Sequence, residues 1–123
     1  MKKKKYFLFE PILGKEELKN LSHCIKSNWI SSNGKFVDEF ERKFSKYLGG
    51  GHAVAVSNGT TAIELALASL GIKKDDEVII PNFTFAATIN AVIHIGAKPV
   101  LVDCDRETWT MDLDKVSKLI NKK

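Results

Sequence analysis

The sequence has few cysteines and histidines, and this scarcity excludes several classes of site. Only two of the 123 residues are cysteines, Cys24 and Cys104, and their separation matches no metal-binding spacing. We expect each to pack as a small apolar residue in a reducing cytoplasm. The three histidines lie far apart in the sequence and form no metal-binding array, so the sequence predicts no metal site.

The sequence also lacks a long apolar run. No segment approaches the about 20 apolar residues that a membrane-spanning helix needs, and the apolar stretch after Lys2–Lys5 is too short for a secretory signal. The net charge of +4 comes partly from six lysines at the two ends, Lys2–Lys5 and Lys122–Lys123. Because these lysines lie in predicted solvated tails, they are weak evidence for a nucleic-acid partner. We therefore expect a cytoplasmic protein that binds neither nucleic acid nor a membrane.

Two common phosphate-binding motifs are missing as well. The sequence contains no G-x-x-x-x-G-K-[S/T] pattern, which excludes an ATP-binding P-loop. The glycine-rich stretch at residues 49–51 precedes a predicted strand, whereas a dinucleotide fingerprint requires its glycines after the strand. Any phosphate site in this chain must therefore be of another kind.

The apolar pattern that is present predicts an α/β fold. Helices are predicted over residues 15–27, 35–48, 61–70 and 84–95, with a last helix capped by Asp112, and strands over residues 52–57, 77–81 and 99–103. Thr61 and Glu64 have the spacing of a capping box at the start of the third helix. Short, nearly continuous apolar strands that alternate with helices are typical of a parallel sheet covered by helices.

The turn Ser57-Asn58-Gly59-Thr60, between the first predicted strand and its helix, is a candidate anion site. The first turn of a helix has backbone N–H groups without partners at the positive end of its dipole, and these stabilise a phosphate without any lysine or arginine. Asn-Gly is also a common turn pair, so a plain strand-to-helix connection could have the same sequence. The segment Asn82–Phe85 follows the next strand and would bring two aromatic rings to the same edge of the sheet. This combination suits a flat phosphorylated ring.

Six blocks of sequence, in order, resemble the DegT/DnrJ/StrS family of sugar aminotransferases that depend on pyridoxal 5′-phosphate (PLP). The blocks are residues 29–37, 40–41, 57–62, 76–81, 83–88 and 96–103. The first of them, W-I-S-S-N-G-K-F-V, is most similar to the perosamine synthase branch, which aminates a nucleotide-linked 4-keto-6-deoxy sugar. A small departure is Asp75, where the family usually has glycine.

The resemblance implies the three-layer α/β/α large domain of the PLP-dependent transferases of fold type I, the aspartate aminotransferase-like fold, here incomplete. It divides the chain into an N-terminal tail at residues 1–14, a helical segment at 15–51 and the first part of the PLP-binding domain at 52–123.

Site residues carry over from the resemblance by position. Gly59 and Thr60 match the family residues that hold the cofactor phosphate, and Asn58 lies in the same turn. Phe85 matches the aromatic residue that stacks on the pyridine ring, and Phe83 is expected to form a wall of the site. The segment 29–32 is expected to approach the substrate.

The resemblance places no catalytic residue within the chain. In the family, the lysine that binds the cofactor covalently and the acid beside the pyridine nitrogen lie beyond the position that matches Lys123. The chain is therefore expected to be the amino-terminal part of a nucleotide-sugar aminotransferase. A non-catalytic remnant or binding fragment of the same fold, and a fragment of a PLP-dependent sugar dehydrase, remain open as alternatives.

The partners follow from the resemblance too. It implies PLP as cofactor, a nucleotide-linked keto-sugar as substrate, and an amino donor that is commonly glutamate. It further implies a homodimer and a role in the synthesis of surface polysaccharide such as lipopolysaccharide.

Overall fold

The computed structural model describes residues 9–121 of the chain. Lys2–Lys5 and Lys122–Lys123, the lysines of the predicted tails, lie outside the described residues. The chain divides between Ala55 and Val56 into two compact units.

The first unit contains two helices. α1 spans Lys15–Lys26 and α2 spans Lys35–Tyr47, which confirms both predicted helices to within one residue. The ring of His23 on α1 meets the ring of Phe36 on α2 edge to face, with ring centroids 5.7 Å apart. This ring contact joins the two helices.

The second unit is built around a parallel pair of strands. Its elements in chain order are α3 (Gly59–Ser69), β1 (Glu77–Pro81), α4 (Ala86–His94), β2 (Lys98–Val102) and α5 (Leu113–Leu119). β1 and β2 pair in a register that sets Glu77 opposite Lys98 and Pro81 opposite Val102. The predicted alternation of helix and parallel strand is therefore confirmed for this part of the chain.

The core of the second unit lies between α4 and the two strands. Ile80 on β1, Val92 on α4 and the nearby Ala97 are buried together. Leu67 of α3 and Ile89 of α4 pack against this cluster and are themselves partly buried. Each large apolar side chain that leaves water contributes about 1.5–3 kcal/mol, so this cluster holds α3 and α4 on the sheet.

The prediction of a strand over residues 52–57 is wrong. No strand is assigned there in the described chain, and Val54 is 68% exposed. A strand requires a neighbour to pair its backbone groups. The backbone N–H of Ala55 donates instead to Oε1 of Glu41, at 2.7 Å, so a side chain takes the place of a strand partner.

The predicted start of α3 is also wrong. The helix begins at Gly59, two residues earlier than predicted, and its N-cap is Asn58 rather than Thr61. Oδ1 of Asn58 accepts hydrogen bonds from the backbone N–H and the hydroxyl of Thr61, at 3.0 and 3.3 Å. The predicted capping box at Thr61 does not form, because Thr61 lies inside the helix. Glu64 pairs with His94 of α4, with Oε1 and Nδ1 2.6 Å apart.

Candidate functional site

The start of α3 and the loop after β1 lie at the same edge of the sheet. β1 and β2 are parallel, so α4, which joins them, must run antiparallel to both. α3 leads into β1 through the short connection at residues 70–76 and packs against α4, so it runs in the same direction as α4. The amino ends of both helices therefore point to the carboxyl edge of the strands, where ligands bind in open α/β sheets.

The turn at the start of α3 has donors that remain open. The side-chain oxygen of Asn58 accepts a hydrogen bond from the N–H of Thr61. The backbone carbonyl of Asn58 accepts one from the N–H of Ala62 at 3.1 Å. Within residues 9–121, neither the N–H of Gly59, the N–H of Thr60 nor the hydroxyl of Thr60 forms a hydrogen bond. Three donors at the positive end of a helix dipole thus lie together without partners, which is the arrangement that stabilises a phosphate.

Space is also available at this turn. A Cβ built on Gly59 would have no atom within 4 Å. The residues present therefore fit a phosphate group, since they offer both donors and room for it.

Phe85 is the N-cap of α4 and presents its ring to solvent. The side chain is 77% exposed, and within residues 9–121 it contacts no other aromatic ring. Its carbonyl accepts a hydrogen bond from the N–H of Thr88 at 3.0 Å, which fixes the backbone at the start of the helix. An exposed ring at this edge can offer a flat face to another ring.

Phe83, unlike Phe85, packs against another aromatic ring. Its ring lies against that of Trp109, with centroids 5.3 Å apart and the planes inclined at 55°. The predicted wall residue is therefore part of an aromatic pair.

A polar network that sequence reasoning missed lies beside these aromatic residues. Oδ1 of Asp103 accepts a hydrogen bond from Nδ2 of Asn82 at 2.7 Å, and its Oδ2 lies 3.0 Å from Nζ of Lys115. The hydrogen bond from Lys115 is the main reason why the pKa of Asp103 lies below its ordinary value. The one available signal was that Asn82 and Asp103 each follow a strand.

Asp105, two residues after Asp103, accepts hydrogen bonds within a turn. Its Oδ1 accepts hydrogen bonds from the backbone N–H groups of Glu107 and Thr108 and from the hydroxyl of Thr108. These bonds lower the pKa of Asp105. Within residues 9–121, no group of three or more His, Cys, Asp or Glu side chains is arranged to hold a metal ion.

The segment 29–32, predicted to approach a substrate, lies in the first unit. Trp29 and Ser31 line a cavity of about 230 Å³ together with Cys24 and Lys35. The structure therefore gives this segment a concave surface of its own. None of the helices described at residues 9–121 has the length and apolar character of a membrane span.

Proteins of similar sequence include two that are named as GDP-perosamine synthases. The chain is 44% identical over 116 residues to a GDP-perosamine synthase from Vibrio cholerae, which covers 94% of this chain and 32% of the relative. It is 46% identical over 110 residues to a GDP-perosamine synthase from Caulobacter vibrioides, which covers 89% of this chain and 30% of the relative. The chain thus spans about a third of the length of these relatives.

Solved structures extend the comparison to the fold. An aminotransferase from Psychrobacter cryohalolentis superimposes with a TM-score of 0.83 at 32% identity, over 90% of this chain and 28% of that one. An E. coli GDP-4-keto-6-deoxy-D-mannose-3-dehydratase with bound hydrated PLP gives 0.80 at 27% identity, over 96% of this chain and 32% of that one. This likeness confirms the predicted fold class, that of the PLP-dependent transferases of fold type I.

The family resemblance read from the six sequence blocks is confirmed by a match that covers nearly the whole chain. Residues 11–123 fit the model of the DegT/DnrJ/EryC1/StrS aminotransferase family, and the protein belongs to that family.

Proposed function

We propose that the chain is the amino-terminal part of a PLP-dependent aminotransferase that transfers an amino group to a nucleotide-linked 4-keto-6-deoxy sugar. The observation that carries this proposal is the set of open donors at Gly59 and Thr60, at the same sheet edge as the exposed ring of Phe85. The 44% identity to a GDP-perosamine synthase supports a GDP-linked sugar as the substrate.

Each of the four site residues has a role that its surroundings support. The N–H groups of Gly59 and Thr60 and the hydroxyl of Thr60 hold the cofactor phosphate, and Asn58 shapes the turn that presents them. Phe85 stacks on the pyridine ring and keeps it planar with the bound substrate. PLP, when bound, supplies the electron sink that amino transfer requires.

The division of the chain follows the same proposal. Residues 52–123 form the first part of the PLP-binding domain, and residues 15–51 form an N-terminal helical segment. Trp29 and Ser31, which line the cavity of the first unit, contact the substrate.

Further features of the proposal concern the whole protein. It acts in the cytoplasm as a homodimer, takes its amino group from glutamate and contributes to surface polysaccharide such as lipopolysaccharide. A relative from Bacillus subtilis, named spore coat polysaccharide biosynthesis protein and 43% identical over 102 residues, supports the polysaccharide role.

A dehydrase is the second candidate, because the E. coli dehydratase superimposes on 96% of the chain. Its identity of 27% is lower than the 44% of the perosamine synthase, which favours amino transfer.

The test is a reaction of the whole protein that contains this chain with PLP, glutamate and GDP-4-keto-6-deoxymannose, followed by mass spectrometry of the sugar. The aminated sugar is expected, and its formation should require glutamate. Loss of the 3-hydroxyl without retention of nitrogen would replace the proposal with the dehydrase. No change of the sugar would contradict both and favour a non-catalytic member of the family.

A further inference from the structure

The loop Asn82–Phe85, called here the aromatic loop, is held from the end of the neighbouring strand. The backbone N–H of Asn82 donates to the carbonyl of Val102 at 2.8 Å, and its side-chain Nδ2 donates to Oδ1 of Asp103 at 2.7 Å. One residue further along each segment, the thiol of Cys104 lies 3.9 Å from the carbonyl of Phe83. The path of the aromatic loop is thus set by contacts with the last residue of β2 and the two residues that follow it.

Asp103 is in turn held by α5. Nζ of Lys115 lies 3.0 Å from Oδ2 of Asp103 and 3.4 Å from Oδ2 of Asp112, the N-cap of α5. Asp103 therefore joins the aromatic loop on one side to a helix on the other.

The turn that follows β2 adds an aromatic contact to the same loop. Trp109, whose ring packs against Phe83, has a φ of 59°, a left-handed conformation that is unfavourable for a residue with a large side chain. The carbonyl of Asp105 accepts the N–H of Trp109 at 3.0 Å and helps to hold this conformation. Unfavourable backbone conformations that persist in a fold are concentrated at functional sites.

The direction of the Phe85 ring depends on the backbone of this loop. The ring is exposed and packs on no other aromatic ring within residues 9–121, so no such neighbour orients it. Ring stacking depends on the angle and offset of the two planes. A group that fixes the backbone of the aromatic loop therefore also fixes how Phe85 can stack.

We infer that Asp103 is a positioning residue that holds Asn82, and through it the aromatic loop, so that Phe85 presents its ring to the pyridine ring of the cofactor. This inference rests on the proposed function. Lys115 supports the same arrangement by fixing the second oxygen of Asp103.

The test measures binding of pyridoxamine 5′-phosphate, which has no aldehyde and so reports non-covalent affinity. Asp103→Ala should raise its Kd by about 3–10-fold, the range that corresponds to the loss of one aromatic pair. Lys115→Met should raise it less, because the bond between Asp103 and Asn82 remains. The matched control is Lys98→Met, which removes an exposed ion pair of similar length, 2.9 Å to Asp75, at the opposite end of β2. It should leave the Kd unchanged.

A double-mutant cycle separates positioning from general destabilisation. In a Phe85→Ala background, Asp103→Ala should have no further effect on the Kd, because there is no ring left to position. In a Thr60→Ala background it should keep its full effect, because the phosphate contact is independent of the ring. An equal effect of Asp103→Ala with and without Phe85 would overturn the inference, and so would no effect in the wild-type background.

A cofactor-free measurement keeps the two proposals distinguishable. The fluorescence of Trp109 is isolated by subtracting that of the same protein carrying Trp109→Phe. Acrylamide should quench this fluorescence more strongly in Asp103→Ala than in the wild type. Absence of pyridoxamine phosphate binding by the wild-type protein would contradict the proposed function, whereas unchanged quenching would overturn the role of Asp103 in holding the loop. If Asp103→Ala does not fold, Asp103→Asn provides the second variant. Its Kd should be higher than that of the wild-type and Lys98→Met proteins and no higher than that of Lys115→Met. A wild-type Kd would overturn the inference.

Discussion

The side-chain oxygen of Asn58 accepts the backbone N–H of Thr61 at 3.0 Å and closes the amino end of α3. This cap uses the third N–H group of the helix and leaves the first two, on Gly59 and Thr60, without partners within residues 9–121. The cap and the proposed phosphate site therefore use different donors of the same turn. Asn58 can stabilise the helix without competing with the phosphate.

Replacement of Asn58 should separate these two functions of the turn. Asn58→Ala removes the cap and should lower the free energy of unfolding by about 1 kcal/mol. Asn58→Asp keeps an oxygen acceptor and should unfold close to the wild type in urea, yet it should bind pyridoxamine phosphate more weakly, because a carboxylate repels the phosphate. Equal stability of the Ala and wild-type proteins would show that the cap contributes nothing.

Replacement of Thr60 tests the phosphate contact itself. Thr60→Ala removes a hydroxyl donor, and the loss of a hydrogen bond to a charged group of about 1.5–3 kcal/mol should weaken cofactor binding by about 10–100-fold. Thr60→Ser keeps the hydroxyl and should bind nearly as the wild type does. The measurement is the Kd of pyridoxamine 5′-phosphate. An unchanged affinity in Thr60→Ala would remove Thr60 from the proposed site.

Local signals in the sequence were sufficient for most of the helices and for the parallel pair of strands. The apolar period of α1 and α2 and the apolar runs of β1 and β2 predict these elements correctly, because each depends on its own residues and on burial. The cap of α3 was misplaced for a local reason as well. Asn58 and Thr61 are both good caps, and only the structure shows that Asn58 captures the N–H of Thr61.

Features that depend on contacts distant in sequence could not be predicted in the same way. The segment around Val54 reads as a buried strand, but no strand forms there in the described chain. The bonds of Asp103 to Asn82 and Lys115 join residues 21 and 12 positions away, and no local pattern encodes such a network. The candidate site could be placed at a sheet edge from the sequence, whereas the groups that support it could not.

Asp75 has a backbone conformation that favours glycine. Its φ is 73°, in the left-handed region, while its side chain pairs with Lys98 at 2.9 Å. Asp75→Gly and Asp75→Ala both remove the ion pair, so their difference reports the backbone alone. The glycine variant should be more stable than the alanine variant by about 1 kcal/mol in urea unfolding. Equal stabilities would show that the left-handed conformation carries no cost at this position.

A polypeptide of these 123 residues should associate as its concentration rises. Its sheet within the described chain has only two strands, and Leu101 of β2 is 56% exposed. Unpaired strand edges with exposed apolar side chains favour pairing between molecules. Sedimentation should show association that Leu101→Lys reduces, while Leu70→Lys, a matched change at the exposed C-cap of α3, has less effect. Equal effects of the two variants would argue against association through the sheet.

Acid should destabilise the protein partly through Asp105, and the direction follows from its pKa. The backbone N–H of Thr108 is the main cause that lowers this pKa from the ordinary value of 3.8, with further lowering by the Thr108 hydroxyl and the N–H of Glu107. The folded state therefore binds protons less readily than the unfolded state, so this stabilisation is present above about pH 4 and is lost as the pH falls through the lowered pKa. Asp105→Asn keeps an acceptor oxygen but no titrating group, so its stability should fall less between pH 7 and pH 3 than that of the wild type. Asp114→Asn, in the exposed first turn of α5, serves as the control for removal of a carboxylate. Urea unfolding at each pH provides the measurement, and a pH dependence in Asp105→Asn equal to the wild type would exclude this carboxylate as a source of acid sensitivity.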